Sequence, residues 1–61
     1  MRTYRCYFLD DSDRIKSFVE LHAPSDEKAI AQARRRGRAY GRPVEVWRGN
    51  EMIYSESDVT T

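Results

Sequence analysis

Five arginines fall within nine positions in the run Arg34-Arg35-Arg36-Gly37-Arg38-Ala39-Tyr40-Gly41-Arg42. Guanidinium groups at that density are suited to phosphate or carboxylate, since each carries a permanent charge and a planar fork of N–H donors. A nucleic-acid backbone is the partner such a run would imply. Asp10, Asp11 and Asp13 open like an acidic calcium loop. The glycine and the terminal glutamate of that loop are missing, so a turn is expected there instead. Cys6 is the sole cysteine and His22 the sole histidine. One thiol excludes an internal disulfide, and the two residues offer no metal-ligand spacing. Cys6 falls in a strand and is expected to pack as a small hydrophobe. No Ser/His/Asp or Cys/His pairing can be assembled, so neither enzyme activity nor a cofactor or metal is expected.

Charge narrows the reading further. The net formal charge is +1, which does not describe a general nucleic-acid binder. The imbalance is local: between residues 31 and 48 six arginines face one acid, Glu45. At 61 residues the chain is one small domain, close to the size at which a core needs help from self-association or very regular packing. No apolar run approaches the roughly 18 residues of a membrane span. Met1-Arg2-Thr3-Tyr4-Arg5 leads into strand-like alternation rather than the apolar stretch of a signal peptide. A soluble cytoplasmic protein is the expectation.

The elements that would position these residues are legible. Residues 3–9 are aromatic-rich and suit a strand. Asp10-Asp11-Ser12-Asp13 is a turn cluster, and residues 14–22 form a second strand. With Asp10–Asp13 as the loop, Leu9 would face Arg14, Phe8 would face Ile15, Cys6 Ser17, and Tyr4 Val19. Pro24-Ser25-Asp26-Glu27 starts a helix with Ser25 as N-cap, and Gly41 followed by Pro43 stops it, giving a helix over about 26–40. Val44–Arg48 and Glu51–Ser55 are strands joined by Gly49-Asn50, a two-residue hairpin loop of type II′ or I′. That loop pairs Arg48 with Glu51, Trp47 with Met52, Val46 with Ile53 and Glu45 with Tyr54. The fold class is therefore α+β: ββαββ, a four-stranded antiparallel sheet of order 2-1-3-4 with one helix on one face. The alternative order, 1-2-3-4, would require a parallel pairing of the second and third strands. Residues 1–55 make the domain, and 56–61 are expected to be a flexible tail.

Period-two alternation then sorts the side chains. Tyr4, Cys6, Phe8, Ile15, Val19, Leu21, Val44, Val46 and Ile53 fall on the face the helix covers. Ala29, Ile30, Ala33, Gly37 and Tyr40 form the matching helical stripe. The opposite face collects Tyr7, Leu9, Phe18, Trp47, Met52 and Tyr54 among Arg5, Arg14, Lys16, Glu20 and Glu45. No element remains to cover it. Those six apolar residues are the candidate interface, and a homodimer is the partner they imply. Packing of the rings among themselves with cations laid over them is the plainer account of the same face. Stacking of single-stranded nucleic acid on Tyr7, Phe18 and Trp47 is a further reading, which Glu20 and Glu45 oppose.

Phasing at about 100° per residue dissolves the arginine run as one surface. Arg35 points away from the sheet, Arg34 and Arg38 share one shoulder, and Arg36 lies on the other. Arg34, Arg35 and Arg38 are the candidate nucleic-acid contacts. Cations near a helix C-terminus and a solvated outer face explain the same residues without a ligand.

The strand Tyr4-Arg5-Cys6-Tyr7-Phe8-Leu9-Asp10, the helix start Asp26-Glu27-Lys28-Ala29-Ile30 and the strand Val44-Glu45-Val46-Trp47-Arg48-Gly49 carry a resemblance. Together they resemble a group of very short bacterial proteins whose domain has no assigned function, with Y-x-x-Y-F-L-D and E-V-W-x-G strands. The resemblance implies a small α+β fold and no activity. It also implies leucines late in the helix, where this chain has Arg36, Gly37 and Arg38. The functional expectation is a non-enzymatic interaction or accessory protein that self-associates through its aromatic sheet face. The alternative is a weak nucleic-acid binder using the helix arginines.

Overall fold

The computed structural model describes residues 1–57. Strands β1 (Arg2–Leu9) and β2 (Ile15–Ala23) are followed by helix α1 (Asp26–Tyr40) and strands β3 (Val44–Arg48) and β4 (Glu51–Ser55). The four strands form one antiparallel sheet in the order β2-β1-β3-β4, and α1 covers one face of it. The crossover through α1 puts the apolar first strand at the centre, as the sequence predicts. Of the expected tail, residues 58–61 lie outside those described. Glu56 is held: its N–H donates to the Val44 carbonyl at 2.9 Å, and its carboxylate accepts from Val44 N–H and from the Tyr54 hydroxyl.

Both ends of α1 follow from local chemistry. The Ser25 hydroxyl accepts from the Lys28 N–H at 3.3 Å, and Asp26 and Glu27 place negative charge in the first turn. At the other end Gly41 takes φ +68°, the left-handed conformation that favours glycine. The Arg42 N–H then reaches the Gly37 carbonyl at 3.0 Å and the Gly41 N–H reaches that of Arg38 at 3.3 Å, the paired bonds of a Schellman closure. In the β3–β4 hairpin Gly49 has φ +61° and Asn50 does not turn positive, the pattern of a type II′ turn.

The register of β1 against β2 differs by two residues from the expected one, for two separate reasons. First, Asp10 pairs with Arg14 rather than belonging to the loop: its N–H donates to the Arg14 carbonyl at 2.8 Å, and its carboxylate accepts from the N–H groups of Ser12 and Arg14. Asp13, at φ +60°, closes the shorter turn. Second, Phe8 pairs with Ser17 while Leu9 pairs with Ile15, so Lys16 is an extra residue on β2. A bulge of this kind exchanges the faces of the residues beyond it. Ile15, expected in the core, is instead 56% exposed and lines the open face with Tyr7 and Trp47. Lys16, expected on the open face, lines a groove with Phe8 and Tyr40 on the helix side.

A second bulge repeats the effect in the other hairpin. Arg48 pairs with Glu51 and Trp47 with Met52 as expected, but Val46 pairs with Tyr54 and Glu45 with Ser55. Ile53 is the extra residue. Tyr54 thereby turns to the helix side, where it and Ile53 pack against the core.

That core is small and dense: Tyr4, Cys6, Phe8, Leu21, Ala23, Ala29, Ala33, Val44 and Val46 are buried in one cluster. Ala29, Ala33 and Gly37 are the buried positions of α1, so the helix backbone itself approaches the sheet. A Cβ added at Gly37 would lie 2.7 Å from Val44 Cγ1 and 2.8 Å from the Arg42 carbonyl oxygen. Tyr40, expected to fill a flank, remains 64% exposed although its ring meets Phe8 edge-on at 5.0 Å. No helix among the described residues is long and apolar enough to cross a membrane.

Candidate functional site: the open face of the sheet

Tyr7 lies on the central strand and organises the uncovered face. Phe18 is its direct partner across β1–β2, with ring centroids 5.7 Å apart and planes tilted by 42°. Trp47 reaches it from β3 edge-on at 6.4 Å and 87°. The Arg5 guanidinium sits 5.3 Å from the centre of the Phe18 ring, a cation–π arrangement. Trp47 Nε1 donates to Glu45 Oε1 at 3.2 Å. Rings and ions therefore satisfy one another, at about 0.5–1.5 kcal/mol per contact. The cross-strand account is correct as geometry but incomplete as coverage. Phe18 remains 53% and Met52 47% exposed, and with Ile15 they leave an apolar strip across the sheet. Tyr7, Trp47, Ile15, Arg5 and Glu20 line a depression of about 640 Å³ there.

Of the six candidate interface residues, Tyr7, Phe18, Trp47 and Met52 are brought together on this face. Tyr54 is not, because the Ile53 bulge turns it to the helix side. Leu9 is not available either: it is 1% exposed, pinned at the end of β1 by pairing with Ile15 and by its N–H bond to the Pro43 carbonyl at 3.0 Å. Ile15 is the member that alternation missed. The signal that could have found it is Asp10, whose side chain suits closing a tight turn with the N–H groups two and four residues on, shortening the loop.

The arginines of the run share no common partner among the described residues. Arg34, Arg35, Arg36 and Arg38 are exposed. Arg34 Nε lies 4.0 Å from Glu56 Oε2, on the β4 side. Arg42, past the helix stop, is half-buried and lines the helix-side groove.

One polar cluster was not foreseen. Asp26, expected only as a first-turn acid, accepts from the Tyr4 hydroxyl at 2.7 Å and from Arg48 at 2.6 Å, with Arg2 at 3.7 Å. Arg48 also bridges to Glu51 at 2.7 Å. The cluster ties the start of α1 to β1 and to the β3–β4 hairpin, and every strong contact in it is internal. The Tyr4 hydroxyl bond, then the Arg48 guanidinium, holds the Asp26 carboxyl below the usual aspartate range. A depressed carboxyl stabilises the fold above its unfolded pKa of about 3.9, and that contribution is lost as pH falls through the lower folded value. Asp26→Asn is therefore expected to reduce stability at neutral pH and to flatten its decline below about pH 4. Chemical unfolding at a series of pH values checks this; an unchanged acid limb would remove the assignment. Asp10 leaves a residual dependence, its carboxyl lowered by the N–H groups of Arg14 and Ser12.

Cys6 is wholly buried, and burial pushes its thiol up to about 11. A thiol in that state is a packing group rather than a nucleophile. His22 approaches Thr3 at 3.4 Å and Glu20 at 3.6 Å, both exposed contacts. Among the described residues no set of three or more His, Cys, Asp or Glu side chains is placed to hold a metal ion.

Fold and site define an α+β protein with a one-helix layer on one side of its sheet and an aromatic face on the other. Compared with family models, curated proteins and solved structures, the chain finds no significant match in any of the three.

Proposed function

We propose that this protein is a small non-enzymatic interaction module of the cytoplasm that pairs with a second copy of itself through the open face of its sheet. The observation that carries the reading is the strip of Ile15, Phe18 and Met52 around the half-buried Tyr7 and Trp47, on a face no element covers. Charge supports a second copy over a polyanion. The face carries Arg5 together with Glu20 and Glu45, and a two-fold axis can set the cation of one copy against an acid of the other. Association would also relieve a core too small to be comfortable alone. Kinship with the short bacterial group rests on the strand and helix motifs and stays part of this proposal.

Sedimentation over a concentration series tests it. The wild-type chain is expected to dimerise at micromolar concentrations, and Phe18→Glu to weaken the dimer at least about tenfold, as for a central aromatic contact. Phe18 is exposed, so this substitution leaves the core intact. A wild-type chain that stays monomeric at high micromolar concentration overturns the proposal. Binding of a generic oligonucleotide that strengthens as salt falls, and is lost when Arg34, Arg35 and Arg38 are replaced, would favour the alternative reading.

A further inference from the structure

A different surface carries its own inference. Toward the helix side of the sheet, Phe8, Val19 and Tyr40 line a groove of about 370 Å³ with Lys16 and Arg42, and Phe18 of the open face borders it at the β2 edge. The residues lining it include two cations and no acid. Its aromatic wall is preformed, since Tyr40 is held edge-on against Phe8 while keeping 64% of its surface exposed. The groove runs beside β2, which is an edge strand of the sheet. The edge is already used at one point: Gln32 Nε2 donates to the His22 carbonyl at 3.2 Å. Among the described residues no other side chain reaches the backbone of β2. From Ser17 to Leu21 the pairing with β1 is regular, because the Lys16 bulge lies just outside that span.

We propose that this edge and groove together take an extended acidic peptide segment of a partner protein, added to the sheet as a strand beside β2. An edge strand offers main-chain donors and acceptors to an incoming strand, and alternate side chains then supply specificity. Here one set of side chains enters the groove against Val19 and Tyr40. An acid at the Arg42 end meets Lys16 and Arg42, whereas a cation at the same position would be repelled. The groove opens on the helix side of the sheet and meets the aromatic strip at Phe18, which both surfaces share.

The test titrates the full chain, labelled with nitrogen-15, with a capped extended peptide whose groove-facing alternate positions are Val, Val and a terminal Glu, with Thr between them, and with its counterpart carrying Lys in place of that Glu. The Glu peptide is expected to move amide signals from Ser17 to Leu21 and from Tyr40 to Arg42, and to bind more weakly as salt rises. Arg42→Glu and Tyr40→Ala, both at accessible side chains, are each expected to weaken binding at least about tenfold. Repeating the titration in Met52→Lys, on the far edge of the sheet and away from the groove, should not weaken peptide binding. Absence of shifts at millimolar peptide overturns the proposal. So do equal binding of the Lys peptide and shifts centred on Tyr7 and Trp47.

Discussion

Gly37→Ala is expected to lower the melting temperature, although alanine is the better helix former. In an exposed helix the change would stabilise by about 1 kcal/mol. At this position the new methyl group would lie 2.7 Å from Val44 Cγ1 and 2.8 Å from the Arg42 carbonyl oxygen. The Val44 side chain is wholly buried and has no free space to turn into. The Arg42 carbonyl cannot move alone, because the Arg42 N–H closes the helix by bonding to the Gly37 carbonyl at 3.0 Å. Relief therefore means displacing the α1–β3 connection from the sheet. Overpacking of this kind costs about 1–3 kcal/mol, which exceeds the gain in propensity. For a domain of this size each kcal/mol shifts the midpoint by roughly 4–8 °C. Thermal unfolding of Gly37→Ala beside Ala39→Gly, an exposed site on the same turn, separates the two effects. A Gly37→Ala protein more stable than wild type would show that the helix does not approach as closely as described.

The second large effect is expected at Phe8. Its side chain is 3% exposed and stands on β1, between β2 and β3, against the Tyr40 ring. Truncation to alanine removes a buried ring and leaves a cavity, a change of about 3–5 kcal/mol. A core of this size supplies roughly that much in total. Phe8→Ala is thus expected to be largely unfolded at room temperature, whereas Phe8→Leu should fold with a lowered midpoint. Circular dichroism and dispersion of amide signals read both outcomes. A folded Phe8→Ala protein with near wild-type stability would mean that the stabilising core lies elsewhere, for example in a dimer interface.

How far the sequence reaches is visible in particular elements. The bounds of α1 were readable because a helix is started and stopped by its own neighbours: Ser25 supplies the cap, and Gly41 the left-handed stop. The Gly49-Asn50 turn and the first pairs beside it were readable for the same reason. Strand order followed from the length of the α1 crossover and the apolar character of β1. Gly37 could be suspected of close approach, since it shares the small-residue stripe with Ala29 and Ala33.

What lay beyond the sequence depends on partners distant in the chain. Asp26 meets Tyr4 and Arg48, each 22 residues away, and nothing local distinguishes it from an ordinary first-turn acid. The extra residues Lys16 and Ile53 are decided by how each strand fits the one opposite, and alternation assumes that no such residue exists. That is why two hydrophobes changed places in the candidate site: Tyr54 left the open face and Ile15 joined it. The sequence by itself determined the elements, their order and the existence of an uncovered apolar face, because those follow from local conformation and composition. Only the tertiary structure decided which side chains that face presents, because a single inserted residue reverses every side chain beyond it.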